Sequence, residues 1–350
     1  MAIDLKKLKP SVVSKDLKGK YIFLYGPPKI GKTTLAVQFP RNLLLGFEHG
    51  WNAIDNVMAV DVPTWTEFKK YVKQLSTDED LKQQFDTVTV DTIGLAYERC
   101  EQYICDRENV DKIGDIPYGA GFKMVDQEFE GTVRKITQVL DETGRTSYGL
   151  CLIGHEKVRV EADGTISTTH ITPDIPDRCA KIINRLVDMT AYIGIEEDNK
   201  RYIYPRQLTI ENGNQKVEIF AGSHFADLND KIELSYQALV DAVGGAMKAT
   251  AESTNSTLSD SPVQVQMEEK IDFAEVKKNV QDIVRVLLRL DKELDANKED
   301  QHYFKDYNNI VENILGKGKL VKDCTESQAG QLSLILDDLR SYVEKNGITV

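Results

Sequence analysis

The chain has 350 residues, of which 41% are hydrophobic, and its formal net charge is −12 at pH 7. This length accommodates one large domain and a smaller one, and the hydrophobic content is typical of a soluble globular protein. The negative charge argues against a strongly basic, non-specific nucleic-acid binder, because affinity for phosphates comes mainly from lysine and arginine. A local basic groove is still compatible with this charge.

Membrane insertion and metal-binding cysteine motifs find no support in the sequence. No apolar run approaches the roughly 20 residues that a membrane-spanning helix needs, and residues 1–7 lack the apolar core of a signal peptide. The five cysteines are scattered, without a C-x-x-C pair or a histidine at zinc-binding spacing. We therefore expect a cytoplasmic protein with reduced thiols and no membrane association. Cys100 and Cys105 fit core or helix-face positions better than a metal pair.

A phosphate-binding motif, G-x-x-x-x-G-K-[ST], occupies residues 26–33. Residues 21–25 before it are typical of a buried strand, and residues 33–39 after it predict a helix that Pro40 ends. Between a strand and a helix, such a loop directs backbone N–H groups and the positive end of the helix dipole at phosphate oxygens. The residues predicted to contact a nucleotide are Gly26, Pro27, Pro28, Lys29, Ile30, Gly31, Lys32, Thr33 and Thr34.

Three side chains have specific predicted roles in nucleoside triphosphate binding. Lys32 would reach the β- and γ-phosphates and act in catalysis, while the Thr33 hydroxyl would ligate Mg²⁺. Asp91 directly follows an apolar strand predicted over residues 87–90, which is the form of the Walker B acid. Thr33 and Asp91 are therefore the predicted metal ligands, although Asp91 could instead cap the helix that follows it.

Two further polar side chains follow predicted strands. Glu48 ends a strand predicted over residues 42–48, and His155 ends one predicted over residues 148–154. Because ligands bind at the carboxyl edge of parallel sheets, we expect both at the catalytic site. Glu48 would polarise the attacking water, and His155 would sense the γ-phosphate. The alternatives are a capping glutamate and a structural histidine.

One sequence feature bears on which nucleotide base the protein recognises. Residues 91–94 match the D-x-x-G of GTPases, but those proteins usually add N-K-x-D to recognise guanine. The nearest string, residues 199–202, reads Asn-Lys-Arg-Tyr and lacks the aspartate. ATP is therefore the predicted nucleotide.

Alternating strands and helices predict an α/β core with a mostly parallel sheet and helices on both faces. We place this core at residues 1–248, beginning with a polar lysine-rich leader. A Ser/Thr-rich linker spans residues 249–265, and residues 266–350 form a small all-α domain of three helices. The remaining predicted strands are 57–62, 189–196 and 201–220, with a polar hairpin of 158–161 against 165–168. The predicted helices are 64–75, 93–109, 121–142, 176–188, 233–248, 266–295, 300–315 and 325–346.

The part of the chain up to about residue 245 resembles the RecA-like P-loop ATPases. Specifically, it resembles the phage nucleotide-binding (AAA-type) branch that includes the RecA-like single-strand annealing proteins. The resemblance implies a RecA-like core, ATP with Mg²⁺, Glu48 as catalytic base and His155 as a sensor before a DNA-contacting loop. The matching strings are GPPKIGKT at 26–33, FEHG at 47–50, TVTVDT at 87–92 and LIGHEK at 152–157.

The same resemblance implies an ATPase of phage recombination or replication that binds single-stranded DNA and promotes annealing or strand exchange. It would act as a homo-oligomer with a single-strand-binding protein. Segments 105–122 and 156–172 would face the DNA, and Arg201 or Arg206 could reach a neighbour's ATP site, unless both are simply exposed. The candidate DNA contacts are Lys112, Tyr118, Lys123, Lys157 and Arg159.

Two other classes of function remain open. One is an ATP-dependent loader or scaffold that remodels a protein partner through the helical tail. The other is a small-molecule kinase, which the absence of an arginine-rich lid segment disfavours. DNA-stimulated hydrolysis would indicate the recombination ATPase. Hydrolysis stimulated by a protein partner would indicate the loader or scaffold, and a phosphorylated acceptor would indicate the kinase.

Overall fold

The computed structural model describes residues 17–140, 146–196, 199–254, 272–297 and 303–349. The described residues fall into two compact units, one within residues 17–254 and one within 272–349. Most of the predicted leader, and the predicted linker from residue 255 onward, lie outside the described residues.

The first unit contains twelve strands and seven helices in its described part. The strands are β1 (Tyr21–Gly26), β2 (Asn42–Gly46), β3 (Met58–Asp61), β4 (Thr87–Asp91), β5 (Gly149–Asp163), β6 (Ile166–Pro173), β7 (Met189–Ile195), β8 (Arg201–Tyr204), β9 (Leu208–Asn212), β10 (Gln215–Ile219), β11 (Gly222–Ser223) and β12 (Ile232–Glu233). The helices are α1 (Lys32–Ala36), α2 (Trp65–Thr77), α3 (Glu79–Gln84), α4 (Ile93–Glu108), α5 (Ala120–Thr137), α6 (Asp177–Leu186) and α7 (Tyr236–Ser253).

The central sheet has the strand order β12-β8-β7-β1-β5-β4-β2-β3. Pairing is parallel throughout the run from β7 to β3, and β8 and β12 extend it in antiparallel fashion. The predicted α/β class with a mostly parallel sheet is therefore confirmed. β5 lies between β1 and β4, so the strand before the phosphate loop and the strand before Asp91 both neighbour it.

Side chains of β1 alternate between two buried cores. Phe23 and Tyr25 pack into the core that includes residues of α2, α4, α5 and α6. Ile22 and Leu24 pack into the opposite core, which includes residues of α1 and α7. Because both faces of the strand are buried, its carboxyl end is held in a defined position beneath the phosphate loop.

The predicted end of the fifth strand at residue 154 is wrong. β5 continues through His155 to Asp163 and pairs there with β6, which forms the predicted hairpin. β10 and β9 extend this hairpin into a small second sheet. The apolar run marks only the buried part of the strand, since residues 157–163 are exposed.

Other element boundaries also differ from the prediction. α7 continues to Ser253, into the predicted linker, and α5 ends at Thr137 rather than near residue 142. The short helix α3 was not predicted, because it buries no side chain and so has no apolar stripe; Asp78 caps its N-terminus. Between the predicted helices 93–109 and 121–142 the chain forms two 3₁₀ turns, Ile113–Asp115 and Pro117–Gly119, and α5 begins at Ala120.

The second unit consists of α8 (Phe273–Asn297), α9 (Tyr303–Leu315) and α10 (Ala329–Lys345). These helices share a core to which Leu287, Val311 and Leu332 contribute. The apolar faces of these helices thus form the core of a small helical unit. In the described part of the chain, no helix is long and apolar enough to cross a membrane.

Candidate nucleotide site

The sheet brings the predicted site residues to one edge. In the strand register, Gly26 at the end of β1 pairs with His155 of β5, and Gly46 at the end of β2 pairs with Asp91 of β4. The N–H of Glu48 donates a hydrogen bond to the Asp91 carbonyl oxygen at 3.1 Å. The phosphate loop, Glu48, Asp91 and His155 therefore surround one space at the carboxyl edge of the sheet.

The phosphate loop has the backbone conformation that its glycines permit. Gly31, directly before α1, has a φ of 110°, and Lys29 has a φ of 64°. A side chain at Gly31 would be strained by this angle, and its Cβ would lie 3.0 Å from a guanidinium nitrogen of Arg201. Pro28, Lys29 and Thr34 are exposed along the loop and first helical turn, where a ligand can reach them.

Lys32 is buried and folded onto its own loop. Its Nζ donates hydrogen bonds to the carbonyl oxygens of Gly26 at 2.9 Å and Pro27 at 2.7 Å. Burial lowers the pKa of Lys32 below its usual range, although the charges of Asp91 and Glu48 act in the opposite direction. An anion at this position would relieve the cost of the buried ammonium group, which phosphate oxygens can do.

Thr33 and Asp91 meet directly, as the metal prediction requires. The Thr33 hydroxyl donates to Asp91 Oδ2 at 2.7 Å. Burial raises the pKa of Asp91 above its usual range. The hydrogen bond from Thr33 lowers this pKa, and the charge of Glu48 raises it further. A Cβ on Gly50 would lie 3.1 Å from both oxygens, so this glycine keeps the space beside them open.

This oxygen pair fits Mg²⁺, which takes few protein ligands and otherwise water and substrate phosphates. Among the described residues, no group of three or more His, Cys, Asp or Glu side chains is placed to hold a metal ion. Thr33 and Asp91 would therefore hold the ion together with phosphate oxygens and water. The donor set suits this kind of site and does not suit an all-protein metal cage.

Glu48 is held between two side chains. His155 Nε2 lies 3.1 Å from Glu48 Oε1, and the Thr92 hydroxyl donates to the same oxygen at 3.2 Å. The His155 side chain is 36% exposed, and the Glu48 side chain is 34% exposed. The carboxylate is thus oriented but accessible to water, as a general base must be.

Two buried polar atoms of β5 have no hydrogen-bond partner. They are Nδ1 of His155 and Oε2 of Glu156. The charge of Glu156 also acts on Lys32 and on Tyr192. The sequence reasoning missed both Thr92 and Glu156, although each directly follows a predicted site residue. Unsatisfied buried groups are rare in folded proteins.

Arg201 contacts the phosphate loop of its own chain. Its Nη1 donates to the Ile30 carbonyl oxygen at 3.0 Å. Arg206 donates to the Ala226 carbonyl at 2.9 Å and lies 3.4 Å from Asp230. Both arginines therefore have partners within the chain, and a role of either in a neighbouring subunit stays a prediction.

A cavity of about 290 Å³ adjoins the loop beside Arg201. It borders the first turns of α1, so a nucleoside attached to phosphates in the loop could occupy it. Sequence reasoning considered residues 199–202 as a guanine motif and Arg201 as a residue for a neighbour's site, and missed this location. The lining includes Gly31, Thr34, Gln38, Asn199, Arg201 and Leu234.

Comparisons with known proteins identify a family and a relative of this chain. The chain is 27% identical over 352 residues to the SPbeta prophage-derived uncharacterized protein YorG of Bacillus subtilis (strain 168), an alignment that covers 98% of this chain and 99% of that protein. A family model described as an AAA domain matches residues 18–215, a range that contains the phosphate loop, Glu48, Asp91, His155 and Arg201. The chain belongs to this AAA domain family, and its first unit is a P-loop ATPase domain.

Proposed function

We propose that the protein is a RecA-like ATPase of phage recombination or replication that binds single-stranded DNA and promotes annealing or strand exchange. It acts as a homo-oligomer together with a single-strand-binding protein. The AAA domain and a prophage-derived relative support the ATPase and the phage context. One structural observation supports the coupling to DNA: a single strand carries both the contact to Glu48 and two cationic side chains of a groove.

That strand is β5. His155 contacts Glu48 at 3.1 Å, and Lys157 and Arg159 lie two and four residues further along the same strand. Alternate residues of a strand point to the same face, so the three side chains form one row. Lys157 and Arg159 line a groove of about 550 Å³. A movement of His155 on nucleotide turnover would therefore shift the wall of this groove.

The groove has features that single-stranded DNA needs. Lys181 of α6 adds a third positive charge, and Phe220, which is 36% exposed, lies on the lining with Pro173. Lysine and arginine can follow phosphates, while aromatic and apolar surface supports bases. Glu161 and Asp177 also line the groove, so its affinity for DNA should be moderate and salt-dependent.

The second predicted DNA segment contains a fully exposed aromatic ring. Tyr118 has a relative exposure of 106% and lies in the 3₁₀ turn Pro117–Gly119. Lys112 and Lys123, on either side of it, are also exposed. An exposed ring flanked by cations offers a stacking surface for a base and attraction for the adjacent phosphates.

The proposed ATP hydrolysis uses the residues of this site. Glu48 accepts a proton from the attacking water, and Lys32 with the loop N–H groups stabilises the charge that develops on the transferred phosphoryl group. Thr33 and Asp91 would hold Mg²⁺, which would neutralise further charge on the phosphates. His155 orients Glu48 and responds to the γ-phosphate.

The test is the ATPase rate with and without single-stranded DNA at low salt, using wild type, Lys32→Ala and Tyr118→Ala combined with Lys157→Ala. DNA should stimulate the wild type several-fold. The Lys32 variant should be inactive, and the double variant should keep its basal rate but lose the stimulation. No stimulation and no nucleotide-dependent DNA binding by the wild type would refute the DNA proposal.

A second candidate function is a loader or scaffold that remodels a protein partner through the helical unit. The observation that favours it is exposed apolar surface on that unit, with Leu320 at 48% and Leu334 at 58% exposure. Stimulation of the ATPase by a protein partner in the absence of DNA, lost on Leu334→Ser, would support this candidate.

A further inference from the structure

A groove rich in lysine lies between α2 and α5, with Tyr103 of α4 at its side. We define this lysine groove by Lys69, Lys70, Lys73 and Lys135, and its volume is about 420 Å³. Its lining residues do not include any residue of the nucleotide site or of the β5 groove. It is therefore a separate surface of the first unit.

Its positive charge is largely uncompensated. Lys69 is paired, at 2.8 Å from Glu128 and 3.3 Å from the Tyr103 hydroxyl. Lys70, Lys73 and Lys135 are exposed, and within the described parts of the chain no ion-pair partner is placed against them. In a chain with a net charge of −12, three such ammonium groups at one groove form a concentrated positive field.

Helix stability accounts for Lys135, which lies in the last turn of α5, but not for the three lysines of α2. Lys73 lies three and four residues after Lys70 and Lys69, and like charges at this spacing destabilise a helix. Cations help most at a helix C-terminus, but α2 has no basic residue in its last turn. The like charges of these lysines thus destabilise α2, and a bound anionic group would offset this destabilisation.

The floor of the groove indicates which kind of anion fits. Val72 and Thr132 are buried beneath the lysines, at 1% and 4% exposure, and present aliphatic surface. The Tyr103 ring has the Lys69 ammonium over it at 4.7 Å, so that face cannot stack on a base. The described lining contains no arginine, which is the side chain best shaped for phosphate.

We propose that the lysine groove docks an acidic segment of a partner protein, with carboxylates on the lysines and a small apolar side chain on the aliphatic floor. Charge complementarity selects the partner and steers its approach. The floor then adds apolar contact, which distinguishes one acidic segment from another. This surface gives the ATPase a second attachment point that is independent of the nucleotide.

The probe for this proposal is a fluorescein-labelled peptide of six aspartates followed by two leucines. Fluorescence anisotropy with the full chain at low salt should show saturable binding, which weakens as salt is added. The triple variant Lys70→Glu, Lys73→Glu, Lys135→Glu should bind at least about tenfold more weakly. A neutral variant, Lys70→Gln with Lys73→Gln, should bind about threefold more weakly.

The matched control places the same charge change on exposed lysines of the helical unit: Lys278→Glu, Lys292→Glu, Lys305→Glu. This control should bind the peptide like the wild type. Equal losses in both triple variants, or no peptide binding by the wild type, would overturn the proposal. So would a short oligothymidylate that displaces the peptide and loses affinity in the same groove variant, because the occupant would then be nucleic acid. Circular dichroism establishes that each variant is folded.

Discussion

The nucleotide site and the lysine groove both concentrate charge, but they do so in opposite ways. At the nucleotide site Lys32, Thr33 and Glu48 are each already bound to groups of their own chain. At the lysine groove Lys70, Lys73 and Lys135 are exposed and unpaired among the described residues. A nucleotide must therefore displace existing bonds in a partly buried site, whereas an acidic segment meets free, solvated cations. Substitutions should be severe at the first site and mild, additive and salt-dependent at the second.

The largest effect is expected for Lys32→Ala. Removing the buried ammonium should weaken ATP binding about 100-fold, or roughly 2.7 kcal/mol, and abolish hydrolysis, because the phosphate charge loses its closest cation. Lys29→Ala removes a charge from an exposed position of the same loop and should cost less than about threefold. Isothermal titration calorimetry measures both affinities. Equal losses would show that general loop charge, rather than the position of Lys32, controls binding.

Glu48→Gln should separate binding from chemistry. The amide keeps the size of the carboxylate but cannot accept the proton of water, so hydrolysis should fall at least about 100-fold with ATP affinity unchanged. Glu67→Gln, at the exposed cap of α2, is the matched control and should leave the rate unaltered. A normal rate for Glu48→Gln would disprove its assignment as the general base.

Gly50→Ala tests the space beside Thr33 and Asp91. The added Cβ would lie 3.1 Å from both oxygens, so we expect about tenfold weaker binding of ATP with Mg²⁺. Binding measured with a chelator present should change much less. Gly114→Ala is the control, because a Cβ there meets nothing within 4 Å. If ATP affinity falls equally with and without Mg²⁺, the substitution disturbs the phosphate loop and not the metal position.

Arg201→Ala should have a moderate effect on nucleotide affinity. Loss of the hydrogen bond to the Ile30 carbonyl leaves the phosphate loop less restrained, and we expect binding to weaken about fivefold. Arg206→Ala, whose partners lie elsewhere, should change affinity less than twofold. If mixing Arg201→Ala with the inactive Lys32→Ala protein restores hydrolysis, Arg201 acts across subunits and the intrachain interpretation is wrong.

The smallest effect concerns the stability of the nucleotide-free protein. Burial lowers the pKa of Lys32 from its ordinary value of 10.5, so between the two pKa values the unfolded chain binds more protons than the folded chain. The free energy of unfolding should therefore rise with pH through that alkaline window, and Lys32→Met should remove the rise. Lys73→Met should change this free energy by less than about 0.5 kcal/mol at every pH. Denaturant titrations that give the same pH slope for wild type and Lys32→Met would contradict the expectation.

Much of the nucleotide site was predictable because its signals are local. The loop requires glycines and a lysine at set spacings, and an acid at the end of a buried strand is visible in the residues themselves. Parallel pairing then places Glu48, Asp91 and His155 at one edge. Contacts between residues distant in the chain were missed, such as the one between Arg201 and Ile30, which are 171 residues apart.

The lysine groove also could not be predicted from local sequence patterns. Lys69, Lys70 and Lys73 form an ordinary charged helix face in the sequence, and Lys135 is far from them along the chain. Only the packing of α2 against α5 brings these lysines to one groove. Likewise, the apolar run of β5 did not show that it is continuous with the predicted hairpin strand 158–161, because periodicity reports burial and not strand length.

By itself, the sequence determined the α/β class, the phosphate loop and the acids at the strand ends, since each depends on short-range spacing and periodic burial. Tertiary structure alone decided that Arg201 supports its own loop, that Glu48 is held between His155 and Thr92, and that four lysines share one groove. Those arrangements follow from how helices and strands pack, and packing joins residues whose local patterns carry no information about one another.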